Sequence, residues 1–387
     1  MPPVDAPELA ARGRWGVGVR TLEVVHAGQV DILNFDKATG KAPVYDRRLT
    51  LEVWYPAVIP AGAVERVVWE TAMPGAAAPG VPRTFQTIGK ALRDAAPVTS
   101  ERFPLVVVSH GYPGSRIFLS YLSENLASKG YVVAAIDHTD SVFGNVQGFA
   151  STLLNRAADQ LFTIDAMSGS AGEFLHGAMD ASRVAIVGYS MGGYGALASG
   201  GAGYSKQGGS AKAIRGGYFD QWTAGDPAFE GLKREQIKAI VAIAPWGMQP
   251  PNNNWDEAGL AGIRMPSLWI VGDQDDVSGY EQGVRKAFRG AVNSDRYLLV
   301  YANARHNTGG NPAPAEAMGN FAARAFFDEP VWRKDRIAAI NQHFVTAFLD
   351  WILKGDAGKR EYLDEAGKGF QRRWALGVDV VHAGAGK

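Results

Sequence analysis

The sequence predicts an α/β fold, a mostly parallel sheet with antiparallel N-terminal strands and helices on both faces. Three observations carry that prediction. Apolar runs too short for helices occur at Pro104–Ser109, Tyr131–Ile136, Val184–Val187, Ile237–Ala244 and Ser267–Val271, as expected of strands buried on both faces. Helical spacing separates several of them, over Ile117–Lys129 and Phe149–Met167, which is the alternation of a parallel sheet. Alternation of apolar and polar residues is confined to the start of the chain and is clearest at Leu49-Thr50-Leu51-Glu52-Val53-Trp54.

Composition narrows the function classes. The 387 residues are 46% apolar and 10% aromatic, enough for a sizeable core. The 39 basic and 39 acidic residues cancel, and no basic run would neutralise a phosphate backbone, which argues against nucleic acid as a partner. No apolar stretch reaches the roughly 18 to 20 residues of a membrane span, and Met1–Gly16 lacks the charged-then-apolar pattern of an export signal. The chain reads as soluble, with its compartment open between cytoplasm and export after removal of an upstream leader. There is no cysteine, which excludes disulfides, thiolate metal sites and a cysteine nucleophile.

In chain order, Val17–Val25 and Arg48–Tyr55 read as antiparallel edge strands with a polar turn, Asp36–Lys41, between them. Ala61–Pro97, rich in Ala, Pro and Gly, reads as a long surface excursion with one short helix near Phe85–Arg93. Pro104–Ser109 runs straight into His110-Gly111-Tyr112-Pro113-Gly114. The helix Ile117–Lys129 ends at Gly130, and the strand after it opens into Asp137-His138-Thr139-Asp140. Phe149–Met167 and the loop Gly169–Ala181 return the chain to Val184–Val187, followed by Gly188-Tyr189-Ser190-Met191-Gly192. This G-x-S-x-G stretch fits a strained strand-to-helix turn that exposes a serine hydroxyl above the sheet.

The helix after Ser190 is built of small residues. Segment 199–235 follows, with seven glycines between Ser199 and Gly217 and the aromatics Phe219, Trp222 and Phe229; it reads either as a lid-like insertion bordering a pocket or as a plain surface loop. Ile237–Ala244 ends in Pro245-Trp246-Gly247-Met248, Ser267–Val271 leads into Gly272-Asp273-Gln274-Asp275-Asp276, and Arg296–Tyr301 precedes the Ala302–Gly310 stretch that carries His306. Ile337–Leu353 is a closing amphipathic helix, and the tail from Gly355 has no readable pattern. With no internal repeat or linker, residues 1–387 read as one domain.

An acyl-transfer serine needs a base for its proton and a carboxylate to orient that base. Ser190, Asp275 and His306 each lie just past a strand and occur in the Ser, Asp, His order of α/β-hydrolases. His26, His110, His138 and His176 precede the serine, His343 falls in a helix and His382 in the tail, which leaves His306 as the base. Asp275 is favoured over Asp273 and Asp276 by its spacing from Gly272. Backbone amides of Tyr112 and Met191 are the expected oxyanion hole. Trp246, Tyr189 and His138 are the candidates for lining the substrate pocket. This chemistry needs no metal and no cofactor.

The stretches Phe103–Gly111, Ala134–Asp140 and Gly188–Gly193, with Val17–Arg20 and Val53–Ala57, resemble the plasma-type platelet-activating-factor acetylhydrolases and the bacterial predicted dienelactone hydrolases. Tyr112, Ser190-Met191 and Ala244-Pro245-Trp246 are similar to the bacterial cutinase and polyester-hydrolase branch. The resemblance spans roughly residues 17–350. It implies an α/β-hydrolase fold, a serine esterase acting on small-molecule or polymeric esters, oxyanion amides from a Tyr and a Met, and a Trp along the cleft. True dienelactone hydrolases use a cysteine, which this chain lacks, and the Gly-rich insertion has no counterpart that can be aligned. Amidase or lipase-like chemistry with the same triad, and a catalytically silent binding protein on this fold, remain as alternatives.

Overall fold

The computed structural model describes residues 3–75, 80–146, 148–232, 235–371 and 376–386. Two long strands, β1 (Gly16–Val30) and β2 (Val44–Val58), pair antiparallel from Gly16↔Ala57 onward and form one end of the sheet. The excursion that follows contains β3 (Val67–Ala72) and β4 (Thr84–Gly89), which pair as a separate two-stranded sheet. Short edge strands β5 (Leu92–Arg93) and β6 (Ala96–Pro97) then return to β1 and β2. The helix expected near Phe85–Arg93 is therefore a strand. Phe85 is buried against Phe143 and Phe327 and the residues on either side of it are exposed, so period 2, not 3.6, satisfies this stretch. Part of the excursion, residues 76–79, lies outside the described residues.

The centre of the sheet is six parallel strands: β7 (Phe103–Ser109), β8 (Val132–Asp137), β9 (Met179–Tyr189), β10 (Ile237–Ile243), β11 (Ser267–Gly272) and β12 (Arg296–Tyr301). They run in the spatial order β8-β7-β9-β10-β11-β12. β2 adds antiparallel beside β8, and β13 (Val378–Ala383) adds antiparallel beside β12. Among the described residues the sheet has 11 strands. β13 comes from the tail whose sequence carries no pattern, and it serves as an edge strand in which only Val378 is buried.

The strands sort their side chains by period 2 between two cores. Leu105, Val107, Val184, Ile186, Trp269 and Val271 face one core, together with α2 (Phe149–Ser168) and α3 (Met191–Ser199). Val106, Val108, Ala185, Val187, Leu268 and Ile270 face the other, with α1 (Ser120–Ser128) and the closing helix Lys334–Lys354. At about 1.5–3 kcal/mol for each fully buried large aliphatic side chain, this two-sided burial is the main force holding the sheet. The chain has the α/β-hydrolase fold. Because the six central strands are parallel, every loop that follows one of them emerges on the same edge of the sheet, where open α/β folds bind ligands.

Segment 199–235 is packed rather than open in this structure. Tyr204, Phe219, Trp222 and Phe229 are buried, Tyr204 stacks on Tyr194 of α3 at 4.7 Å between ring centres, and Trp255 Nε1–H donates to the Ala202 carbonyl at 3.2 Å. Residues 233 and 234 of this segment lie outside the described residues.

Candidate active site

Ser190 joins β9 to α3 with φ 53° and ψ −112°, a backbone conformation that costs about 1–3 kcal/mol for a residue with a Cβ. The turn is held from both sides: Ser190 N–H donates to Ile243 O at 2.8 Å, and Ser190 O accepts from Trp246 N–H at 3.0 Å. The neighbouring glycines are required by close approach. A Cβ on Gly188 would overlap the carbonyl of Gly192, and a Cβ on Gly192 would overlap the carbonyl of Ser109 at the end of β7. Glycine at 188 lets the strand and helix of the elbow close on each other, and glycine at 192 lets the elbow lie against the end of β7 and His110.

His306 Nε2 lies 2.9 Å from Ser190 Oγ, and its Nδ1 lies 3.0 Å from both Asp275 oxygens. Burial pushes the Asp275 carboxyl up, but the His306 bond and the backbone N–H groups of Ser278 and Val277 outweigh it and hold the group below the usual carboxylate range. An ionised Asp275 can only accept a hydrogen bond, so in the neutral imidazole the proton sits on Nδ1 and Nε2 is the acceptor for the Ser190 hydroxyl. Two loops converge to make this contact: Gln274 N–H donates to Ala304 O at 2.9 Å, and a Cβ on Gly272 would overlap the carbonyl of Ala304. The other two aspartates are occupied elsewhere. Asp273 accepts from Asn303 N–H at 2.7 Å, and Asp276 pairs with Arg305 at the surface.

Tyr112 and Met191, named for their amides, flank Ser190. Met191 is the first residue of α3, and a Cβ added on Gly111, next to Tyr112, would stand 3.3 Å from the Ser190 Cβ.

The three residues named as pocket candidates are placed differently from one another. Trp246 is half-buried and contacts Phe149 edge-on at 5.7 Å, and Phe149 in turn meets the Tyr112 ring at 5.1 Å, so the three aromatic rings form one cluster. Tyr189 is 5% exposed and lies against the His306 ring at 5.4 Å, with its hydroxyl donating to the His306 carbonyl at 3.3 Å; it braces that imidazole. His138 is 1% exposed and faces no open space. Its Nδ1 donates to Asp159 at 2.9 Å, and its Nε2 accepts from the Ser109 hydroxyl at 2.7 Å. Asp159 is also gripped by Arg47 through two bonds of 2.8 and 3.0 Å.

Phe149, Arg156, Asp159 and Gln160, all on α2, were not singled out from the sequence. The available signal was a set of polar residues at i, i+3 and i+4 on a helix otherwise destined for the core, with an aromatic at its first position.

The buried cluster behind the loop sets an acid limit. Burial, together with the nearby Arg156 charge, pushes the His138 imidazole down to about 3 from 6.5, against the opposing pull of Asp159. The unfolded chain therefore binds a proton at this histidine that the folded chain refuses between about pH 6.5 and 3, so stability rises with pH across that window. The Asp159 carboxyl, held low by Arg47 and His138 against the opposing effect of burial, acts in the same direction. Urea midpoints at pH 7 and pH 5 are expected to show a clear loss at the lower pH that is reduced in His138→Gln. An unchanged pH dependence in that variant counts against this assignment.

A family model described as PETase, PET hydrolase-like, matches residues 96–215, the stretch holding the 110–114 loop, α2 and the elbow. The cutinase est1 of Thermobifida alba is 26% identical over 211 residues, covering 54% of this chain and 55% of that protein. The bis(hydroxyethyl) terephthalate hydrolase of Streptomyces coelicolor is 23% identical over 205 residues, covering 53% and 50%. The chain thus spans about half the length of the curated relatives it matches. A ferulic acid esterase from Streptomyces cinnamoneus superposes with a TM-score of 0.58 at 22% identity, covering 90% of this chain and 94% of that one, a likeness of fold.

Proposed function

We propose that this chain is a serine hydrolase that cleaves carboxylic esters through an acyl-enzyme, with Ser190 as nucleophile, His306 as base and Asp275 as the orienting acid. The observation that carries the reading is the hydrogen-bonded line Ser190 to His306 to Asp275, at 2.9 and 3.0 Å, ending on a serine held at positive φ. Ser190 Oγ attacks the ester carbonyl carbon as its proton passes to His306 Nε2. The carbonyl oxygen becomes an oxyanion and accepts the Tyr112 and Met191 amides. Collapse expels the alcohol, which takes the proton from Nε2, and leaves the acyl group on Ser190. Water, deprotonated by His306, then releases the acid.

The substrate is an ester with an apolar or aromatic acyl group, free or within a polymer. The cluster of Tyr112, Phe149 and Trp246 supports this, as do relatives named as cutinases and as a terephthalate ester hydrolase. The common sheet supports reading the chain as one domain, with segment 199–235 a packed insertion and not a separate unit.

Turnover of p-nitrophenyl acetate that is abolished by a serine-directed organophosphate is the expected result; no turnover of any ester in a panel of acyl lengths overturns the reading. Within that panel, Trp246→Ala and Tyr112→Ala should raise KM for a benzoate ester by the equivalent of about 1–3 kcal/mol while changing acetate ester kinetics little. Equal kcat losses on both esters with KM unmoved would remove the rings from the pocket.

A further inference from the structure

Arg156, Asp159 and Gln160 share one buried face of α2, from which Arg156 reaches the 110–114 loop and Gln160 the first turn of α3. Arg156 donates from one Nη to His110 O at 2.7 Å and from the other to Ser141 Oγ at 2.7 Å. Gln160 Nε2 donates to Gly192 O at 2.9 Å, in the first turn of α3 beside the Met191 amide, while its Oε1 accepts from Ser199 Oγ at 2.9 Å. Room for both side chains comes from Gly195, where a Cβ would stand 2.6 Å from Arg156 Cγ and 2.7 Å from Gln160 Nε2.

From the His110 carbonyl the order passes on to the amide itself. His138 N–H donates to His110 Nε2 at 3.2 Å, so the His110 proton sits on Nδ1, which donates to Gly111 O at 2.7 Å. Gly111 C=O and Tyr112 N–H belong to one planar peptide unit, so fixing its oxygen fixes the direction of its N–H. A carbonyl that accepts a strong bond also makes the N–H of the same unit a better donor.

Arg156 is fully buried, and among the described residues no carboxylate lies within ion-pair distance of it; the nearby Asp159 is taken by Arg47 and His138. Its Nε has no hydrogen-bond partner. A buried guanidinium so poorly matched costs more than an apolar side chain of the same size would, so packing alone does not account for it.

We propose that Arg156 and Gln160 are positioning residues for the oxyanion hole: one face of α2 sets the Tyr112 amide through His110 and the Met191 amide through Gly192, and the Arg156 charge favours negative charge at the hole. This rests on the reading of Ser190, Tyr112 and Met191 given above.

The test compares wild type with Arg156→Gln, Arg156→Lys and Gln160→Met in the full chain. It uses p-nitrophenyl acetate kinetics normalised to active sites titrated with a fluorophosphonate, and an aryl trifluoromethyl ketone that adds to the serine and places an oxyanion in the hole. The expected result for Arg156→Gln and Gln160→Met is a fall in kcat per titrated site of about 10- to 100-fold, somewhat below the loss of a whole oxyanion donor. KM should be nearly unchanged, the ketone should weaken by the same factor as kcat, and Arg156→Lys should recover part of the loss. Variants that titrate fewer sites but keep the wild-type kcat at each one would show a merely structural role and overturn the proposal. So would a kcat loss with ketone affinity unmoved. If Arg156→Gln does not fold, Gln160→Met carries the same expectations alone. A wild type that neither turns over the acetate nor reacts with the fluorophosphonate removes the esterase reading and the proposal together, and is seen before any variant is made.

Discussion

Ser190→Ala is expected to lower kcat on p-nitrophenyl acetate by on the order of 10⁵- to 10⁶-fold, and His306→Ala by a similar factor, because the members of such a unit fail together. Neither change should unfold the protein. Ser190 Oγ meets His306 and carries no core packing, and alanine is no more strained than serine at φ 53°. His306 is partly exposed at the sheet edge and makes its hydrogen bonds within the site. Activity and thermal unfolding measured on the same preparation separate loss of chemistry from loss of fold. Either variant retaining activity near that of wild type would sink the assignment of nucleophile or base.

Asp275→Asn is expected to cost about 10³- to 10⁴-fold in kcat, while Asp273→Asn and Asp276→Asn stay within a few-fold of wild type. An amide at position 275 can turn its NH₂ toward His306 Nδ1, which stabilises the tautomer with the proton on Nε2, the wrong nitrogen for accepting from Ser190. The carboxylate also accepts Val277 and Ser278 N–H at 2.9 and 2.8 Å, bonds that the asparagine oxygen can keep, so the loop should hold. Asp273 and Asp276 serve Asn303 N–H and Arg305, away from the imidazole. Equal losses at all three positions would leave the acid unassigned.

Several features were legible in the sequence because their causes are local. Val184–Val187 is continuous hydrophobicity and ends at a G-x-S-x-G turn, and the structure puts a strand and a positive-φ serine there. Arg296–Tyr301 is a strand over the bounds its sequence predicts, since six apolar or amphipathic residues between polar turns leave little choice of register. The excursion misled because Thr84–Gly89 is short and its helix and strand periods coincide over so few residues; only its partner β3 decides between them. The edge strand β13 was illegible for a related reason. Only Val378 in it is buried, so its pattern carries little burial signal, and its identity comes from pairing with β12, far upstream in the chain.

By itself the sequence determined the fold class, the buried strands of a mostly parallel sheet and the positions of Ser190, Asp275 and His306 at strand ends, because strand periodicity and turn chemistry are set by residues a few places apart. Only the tertiary structure decided what the polar residues between those points face. His138 and Tyr189 could line a cleft or support it, and the choice rests on whether Asp159, Ser109 and the His306 loop are present to satisfy or cover them. The polar face of α2 could look to water or to the core, and it is buried because backbone carbonyls of His110 and Gly192, brought in by two other strands, accept its protons. A buried polar group is stable only with its partners in place. For Ser109, His110 and Gly192 those partners lie 29 to 46 residues away in the sequence, beyond the reach of any local pattern.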